Sequence, residues 1–310
     1  MKTKHNVIIS LIVGMVFLFA PAGFCQDQVT AAQWTQLVEQ VGVNGNVNWT
    51  TGVIEAVGIG APPEKYYGKP QARPMALRAA QLDAYRNLLE VVKGVRVTSV
   101  SYMGDFVTKS DEVRTEVSGL VRGAQIVKKE YLSDGTVEMT MRMSLSGALM
   151  QVILPRVIEV EKAEKPAVVT PPEPPVQATP QKEEVTTAPP APKAPAGVVY
   201  TGLVIDARGI QARPAMSPKI VDENGQEVYG SMQVDREFAV QQGMSGYARD
   251  LTAAQSNPRV TNDPVTVKGL RTVGTGRSSI IISNADAQMI KSAAENLSFL
   301  KKCRVMVVLD

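Results

Sequence analysis

One stretch of the chain, residues 73–97, carries a helical pattern strong enough to constrain the fold around it. Small and apolar residues recur there at intervals of four, while charged residues occupy the remaining faces. The recurring positions are Ala76, Ala80, Ala84, Leu88 and Val92. Because alanine side chains are short, we expect this helix to lie close against a sheet and to run into a strand. Pro74 near its start and Gly94 just past its end suit a helix N-terminus and a left-handed C-cap.

The length and charge of the chain bound the kind of protein it can be. Its 310 residues leave room for two domains, and 44% of them are hydrophobic, which is enough for packed cores. The formal charge is +3, and loss of Lys2 and Lys4 with a leader would reduce it to about +1. No block of like charge stands out, so we expect no nucleic-acid partner, while peripheral contact with a membrane stays open.

The first 25 residues have the composition of a secretory signal peptide. Lys2 and Lys4 precede an apolar run of 13 residues over 7–19, which small residues follow. This run is shorter than the roughly 20 residues of a membrane-spanning helix. Two processing routes are open: cleavage after Ala22 or Cys25, which the bulky Phe24 favours, and lipidation of Cys25 as in a bacterial lipoprotein.

The residue types left after export exclude most familiar catalytic mechanisms. His5 is the only histidine of the chain and would be removed with the signal, which leaves Cys303 as the sole free cysteine. A Ser-His-Asp or Cys-His couple, a His/Cys zinc site and an internal disulfide then cannot form. We therefore expect a protein that is not an enzyme, with no catalytic, cofactor-binding or metal-ligating residues and no cofactor.

Around the central helix, the sequence predicts the other elements of a small α+β domain. We expect a short helix over residues 31–41, strands over 46–60 and 95–106, a short helical or irregular link over 111–118, a hairpin of 119–132 with 136–145, and a helix or extended exit over 147–158. The hairpin turn is Ser133-Asp134-Gly135, and Met139, Met141 and Met143 share one face of its second strand. Such a methionine row is more often part of a core than a binding surface.

Several of these motifs together resemble a known family. They are Gly58-x-Gly60, the run that starts at Ala72, Asp105-Phe106, GLVRGAQIV from Gly119, and SDGTVEMTMRM from Ser133. In this order they resemble the LPP-twenty envelope lipoprotein domain, and the pattern is similar to the N-terminal domain of flagellar H-ring assembly protein T. The resemblance covers roughly residues 46–145. It implies an exported α+β domain that acts at the outer membrane or around the flagellar basal body, without known catalysis.

Composition changes abruptly over residues 161–197, which hold ten of the 20 prolines. Such a segment buries too little apolar surface to offset the entropy of ordering it. We expect an extended, disordered linker there, with a reach that suits a protein bridging layers of the envelope. The predicted organisation is a signal peptide over 1–25, an LPP-twenty-like domain over 26–160, this linker, and a second α+β domain over 198–310.

The second domain shows its own sequence of strands and helices. We expect a strand over 198–207, a hairpin of 217–222 with 226–230, a helix over YARDLTAAQ, strands over 265–273 and 278–283, a helix opened by Ser283 and Asp286, and a buried strand over 304–309 that lies centrally in its sheet.

Candidate chemical groups in the second domain have ordinary structural explanations. Asp206, Asp222 and Glu223 could approach one another as acid–base or cation-binding carboxylates, although turn and strand-end positions account for them. Arg208 and Arg213 could present an anion site or simply lie at the surface. The segment 274–277 lacks the Lys-Ser/Thr pair of a phosphate loop and is better explained as a hairpin turn.

The sequence therefore predicts a non-catalytic, exported envelope protein that works by binding. The leading hypothesis is a structural or assembly factor in the periplasm or at the outer membrane. Its expected partners are envelope proteins, including outer-membrane or basal-body components, and a homo-oligomer is compatible with this role. The alternative is a periplasmic carrier or sensor for a small ligand or a glycan.

Overall fold

The central helix lies on a five-stranded antiparallel sheet. A computed structural model describes residues 36–164, 200–292 and 297–310. The strands are β1 (Val38–Gln40), β2 (Gly45–Asn48), β3 (Val53–Gly60), β4 (Gln125–Tyr131) and β5 (Val137–Ser144), in the order β1-β2-β3-β5-β4. The helix, α1 (Ala72–Gly94), packs mainly on β3 and β5, as the alanine pattern predicts.

The close approach of α1 to the sheet depends on two glycines of β3. A Cβ atom on Gly58 would overlap backbone atoms of Ala80 and Ala84, and one on Gly60 would overlap those of Ala76 and Ala80. The three alanines are fully buried. Gly58-x-Gly60 is therefore a packing motif, because only glycine lets the two backbones meet at this distance.

Side chains of α1 also complete the hydrogen bonding of β3 where β2 has ended. The Asp83 carboxylate accepts from the Ile59 amide at 3.0 Å, and the Asn87 amide donates to the Val57 carbonyl at 2.7 Å. These two side chains occupy backbone groups that a further strand would otherwise use.

The expected role of Gly94 is wrong. Gly94 is the last residue of α1, and the extended Val95 follows it as the C-cap. A Cβ atom at position 94 would overlap the side chain of Val41. The glycine allows close packing against the chain that precedes β2 rather than a left-handed turn.

Three further predictions for the first half of the molecule, residues 36–164, need correction. The part of the predicted 31–41 helix that is described contains β1, which pairs with β2; residues 31–35 lie outside the described residues. The predicted strand over 46–60 is a hairpin, because the turn after Trp49 contains Gly52 at φ +67°. The predicted strand over 95–106 is mostly loop and helix, since the Asp105 carboxylate accepts from the Tyr102 amide at 2.7 Å at the start of α2 (Met103–Lys109).

The rest of the first half follows the predicted order. Helix α3 (Asp111–Arg122) is longer than the expected link, and β4 and β5 form the predicted hairpin with Met139 and Met141 buried. Helix α4 (Ala148–Glu164) closes this half. The first four residues of the predicted linker are thus helical, while the remainder of that linker and the predicted signal peptide lie outside the described residues.

The second half, described over residues 200–292 and 297–310, contains two four-stranded sheets with short helices. Its strands are β6 (Gly202–Asp206), β7 (Lys219–Val221), β8 (Glu227–Tyr229), β9 (Gly246–Ala248), β10 (Pro264–Lys268), β11 (Arg271–Val273), β12 (Ser279–Ile281) and β13 (Val305–Val308). One sheet is parallel, with the order β10-β6-β13-β9, and the other is mixed, with the order β11-β12-β7-β8. The final strand is interior to its sheet, as predicted.

In the part of the second half that the structure describes, four helices connect these strands: α5 (Arg236–Gln242), α6 (Leu251–Gln255), α7 (Asn284–Ser292) and α8 (Leu297–Lys301). Ser283 and Asp286 cap α7 as predicted, with the Asp286 amide donating to the Ser283 hydroxyl at 3.0 Å. The predicted helix over YARDLTAAQ is shorter than expected, because its first residues belong to β9. The fold class is therefore α+β, as the sequence predicts.

The described residues, 36–164, 200–292 and 297–310, belong to one compact unit. None of the three sheets in its described residues mixes strands from the two halves, although the halves pack against each other. Within the described ranges, no helix has both the length and the apolar character needed to cross a membrane.

We expect Gly58→Ala to lower the free energy of unfolding by about 1–3 kcal/mol, since the added methyl group forces α1 away from β3. Urea denaturation followed by circular dichroism measures this change. Gly119→Ala is the matched control, because Gly119 lies in α3 with no neighbouring atom where a Cβ would be added. The control should be neutral or stabilising by up to about 1 kcal/mol; equal losses in both variants would contradict the backbone-contact explanation.

Candidate functional site

Backbone hydrogen bonds join the two halves of the molecule. The Met216 amide donates to the Arg96 carbonyl at 3.0 Å, and the Ser217 amide donates to the Val97 carbonyl at 2.8 Å. Nearby, the Gly276 amide donates to the Ser99 carbonyl at 2.6 Å. The loop between α1 and α2 is thus held by two separate segments of the second half.

Arg96 is the charged centre of this contact, with only 3% of its surface exposed. Its guanidinium donates to the Pro214 carbonyl at 2.6 Å and to the Glu39 carboxylate at 3.2 Å, and lies 5.6 Å from the ring centre of Tyr102. The other Glu39 oxygen accepts from the Trp49 indole at 2.9 Å. Glu39 therefore links the buried arginine to Trp49, an aromatic residue of the same half that also lies at the contact.

Trp49 meets Tyr247 of the second half edge to face, with ring centres 5.8 Å apart. The Tyr247 hydroxyl donates to the Ala215 carbonyl at 2.7 Å and accepts from the Ala215 amide at 3.0 Å. Burial raises the pKa of Tyr247, which keeps this hydroxyl neutral. Both aromatic rings are therefore fixed in position by hydrogen bonds as well as by packing.

A second buried charge lies at the end of α4. Glu161 is buried, pairs with the Lys219 ammonium at 3.2 Å and accepts from the Ser231 hydroxyl. A buried carboxylate needs such partners, because removing it from water is costly. The last turns of α4 are thereby attached to both β7 and the segment that follows β8.

A cleft of about 100 Å³ lies between the halves, beside Trp49 and Tyr247. Arg259 lines it and donates to the carbonyls of Gln242, Gly243 and Cys303, with distances of 3.1 Å to Gly243 and 2.9 Å to Cys303. These carbonyls lie at the carboxyl ends of α5 and α8, where a cation is favourable. Burial lowers the pKa of Arg259. Its main role is to hold the two helix ends together.

A wider groove crosses the helical surface of the first half, with a volume of about 730 Å³. Val100, Phe106, Val113 and Val160 give it apolar walls, and charged side chains from α2, α3 and α4 surround them. Among these, Arg156 pairs with Glu112 at 2.5 Å and with Glu159 at 3.3 Å. Apolar walls with a charged rim suit contact with a protein segment or an amphipathic ligand.

The carboxylates considered in the sequence have separate local partners. Asp206 pairs with Arg208 at 2.7 Å, and hydrogen bonding from Arg208 lowers the pKa of Asp206. Asp222 accepts from two amides of its own turn, and Glu223 accepts from the Asn284 amide at 2.9 Å. Across the described ranges, no group of three or more His, Cys, Asp or Glu side chains is arranged to hold a metal ion.

The other sequence candidates are also placed by the structure. The Arg213 amide donates to the Arg277 carbonyl at 2.9 Å, so the two loops that carry the candidate arginine and the 274–277 turn are joined. That turn contacts Ser99 of the first half. Cys303 is buried, and burial raises its pKa to about 11.

Sequence reasoning missed the residues that join the halves. Arg96 lies between Val95 and Val97 in a stretch assigned to a strand, where an arginine is ordinary. Glu161 was assigned to the linker. Arg96 bonds to Pro214, which lies 118 residues further along the chain, and Glu161 bonds to Ser231, which lies 70 residues further. No local sequence pattern indicates contacts between residues so far apart.

Comparison with family models shows a similarity in the second half of the chain. Residues 202–310 match the family described as Treponema pallidum Tp0624, second domain. The match begins at the first residue of β6 and includes both sheets of the second half. A search of curated proteins returns no match to this chain.

We expect Arg96→Ala to lower the free energy of unfolding by at least about 2 kcal/mol, because it removes a buried cation and leaves the Pro214 carbonyl without its partner. Chemical denaturation of the whole mature protein measures the loss. Arg114→Ala is the matched control, since Arg114 forms an exposed pair with Asp111 at 2.9 Å and should cost less than about 1 kcal/mol. Similar losses in both variants would show that Arg96 has no special role.

Proposed function

We propose that this protein is a non-catalytic, exported envelope protein that acts as a structural or assembly factor in the periplasm or at the outer membrane. The LPP-twenty resemblance implies that its partners are envelope proteins, including those of a flagellar basal body. The observation that carries the proposal is the fixed contact between the halves, with Arg96 and Glu161 buried in it.

The fixed contact favours scaffolding over ligand transport between the halves. Two-domain carriers commonly open and close around their ligand by hinge motion. Here the cleft beside Trp49 holds about 100 Å³, below the roughly 300–1,000 Å³ typical of small-molecule sites. Opening it would separate the backbone hydrogen bonds and buried charges around Arg96. An assembly factor, in contrast, benefits from presenting surfaces in a constant relative orientation.

The groove between α2, α3 and α4 is the surface that we assign to an envelope partner. Its apolar walls provide surface that a partner can bury, and the charged side chains around them form a polar rim of the kind found at protein–protein interfaces. Val100 is exposed at this groove and provides a position at which contact can be detected.

The alternative function is a carrier or sensor for a small ligand or a glycan. One observation favours it, namely that the same groove is large enough for such a ligand. A saturable rise in the thermal unfolding midpoint of the whole protein with a soluble peptidoglycan fragment would support this alternative.

A photoreactive residue at Val100 tests the scaffolding proposal in the cell. We expect it to trap the same envelope proteins in repeated experiments, as identified by mass spectrometry. The control position is Lys268 at the end of β10, which lies in the other half and should not trap them. Trapping of nothing at Val100, or of an identical set at both positions, would overturn the proposed role of the groove.

The intact mass of the purified protein tests export separately. We expect a chain that begins near Gln26 or at Gly23, because the signal is removed. A diacylglyceryl adduct on Cys25 would instead establish the lipoprotein route, which is still export. A mass equal to that of all 310 residues would contradict both routes.

A further inference from the structure

Among the described residues, no strand pairs with one side of the edge strand β4. It lies at the end of the order β1-β2-β3-β5-β4, and β5 occupies its other side. With seven residues, β4 is longer than β1, the three-residue strand at the opposite end. The unpaired amides and carbonyls of an edge strand are a template for another strand.

The apolar side chains of β4 are unusually accessible. Ile126 is 38% exposed, Val127 41%, Tyr131 47% and the adjacent Leu132 48%. Ile126 and Tyr131 are opposite Met141 and Val137 of β5, which are fully buried. Opposed residues share a face of the sheet, so these side chains extend the core-side face beyond the area that is covered.

We propose that β4 pairs antiparallel with β4 of a second copy of this chain, with Lys129 on the twofold axis. The two five-stranded sheets then form one continuous sheet across the dimer. This inference does not depend on the proposed envelope role.

The residue order of β4 favours this register. With Lys129 on the axis, Lys128 faces Glu130 of the second copy and Val127 faces Tyr131, each pair occurring twice. Opposite charges and apolar residues are thus matched on both sides of the axis, which is the arrangement that stabilises cross-strand pairs. Moving the axis by one residue, to Lys128 or to Glu130, would still place a charge opposite its own copy and would place a lysine opposite Val127 or Tyr131, so those registers lose the matched pairs.

Edge lysines and the irregularity between Ile126 and Lys128 are features that usually discourage unwanted strand pairing. Here Lys128 gains an acidic partner in the proposed register, and the only like-charge contact is Lys129 with its own copy. The opposite end of this five-stranded sheet is less suited to pairing, because β1 is short and the part of β3 beyond β2 is occupied by Asp83 and Asn87.

Charge exchange within β4 tests the pairing in the full mature chain. Lys128 and Glu130 are both largely exposed and already form a 2.8 Å pair within one strand, so exchanging them should leave the fold intact. We expect Lys128→Glu and Glu130→Lys each to raise the dimer dissociation constant about tenfold or more, because each creates two like-charge pairs. The double variant K128E/E130K should restore the wild-type value to within about twofold, since opposite charges face each other again.

Sedimentation velocity over a range of concentrations measures the dissociation constants, and circular dichroism checks the fold of each variant. Lys109→Glu is the control, because it reverses an exposed charge on α2 outside the strand. It should leave the dissociation constant unchanged. A monomeric wild-type protein, a double variant as weak as the single ones, or an equal loss in the control would each overturn the proposal.

Discussion

The first half of the molecule depends on a direct contact between two backbones. Gly58 and Gly60 let α1 settle on β3 with only alanine methyl groups beside the contact. At this distance the polar side chains on the flank of α1 reach the strand itself. Asp83 and Asn87 therefore form hydrogen bonds with backbone groups in the part of β3 that does not pair with β2. Packing and hydrogen bonding on this side of the sheet are therefore set by the same close approach.

The contact between the halves buries charged side chains together with their hydrogen-bond and ion-pair partners. Arg96, Glu39 and Trp49 form one connected set, and Glu161 with Lys219 and Ser231 forms another. Because an unpartnered buried charge is costly, these sets favour one docking geometry over others that would bury similar apolar area. The proposed scaffolding role draws on this selectivity, since partners on different surfaces would meet them in a constant arrangement.

Elements with strong local patterns were predictable, whereas contacts between distant segments were not. The alanine stripe located α1, and the turn at Ser133-Asp134-Gly135 located the β4–β5 hairpin. Short strands such as β1 and β9 were assigned to helices, because three residues are too few to establish an alternating pattern. The groove and the Arg96 contact could not be predicted, since each requires knowing which separate helices and loops meet. Gly94 was misjudged because a glycine that permits packing and one that permits a turn look alike in sequence.

The position of Glu161 also changes how the two halves of the molecule relate to each other. Helix α4 ends at Glu164, and the described chain resumes at Tyr200 on the same compact unit. Because Glu161 contacts Lys219 and Ser231, the end of α4 is attached to the second half by side chains as well as through the covalent chain. While that contact holds, the described parts of the two halves move as one body.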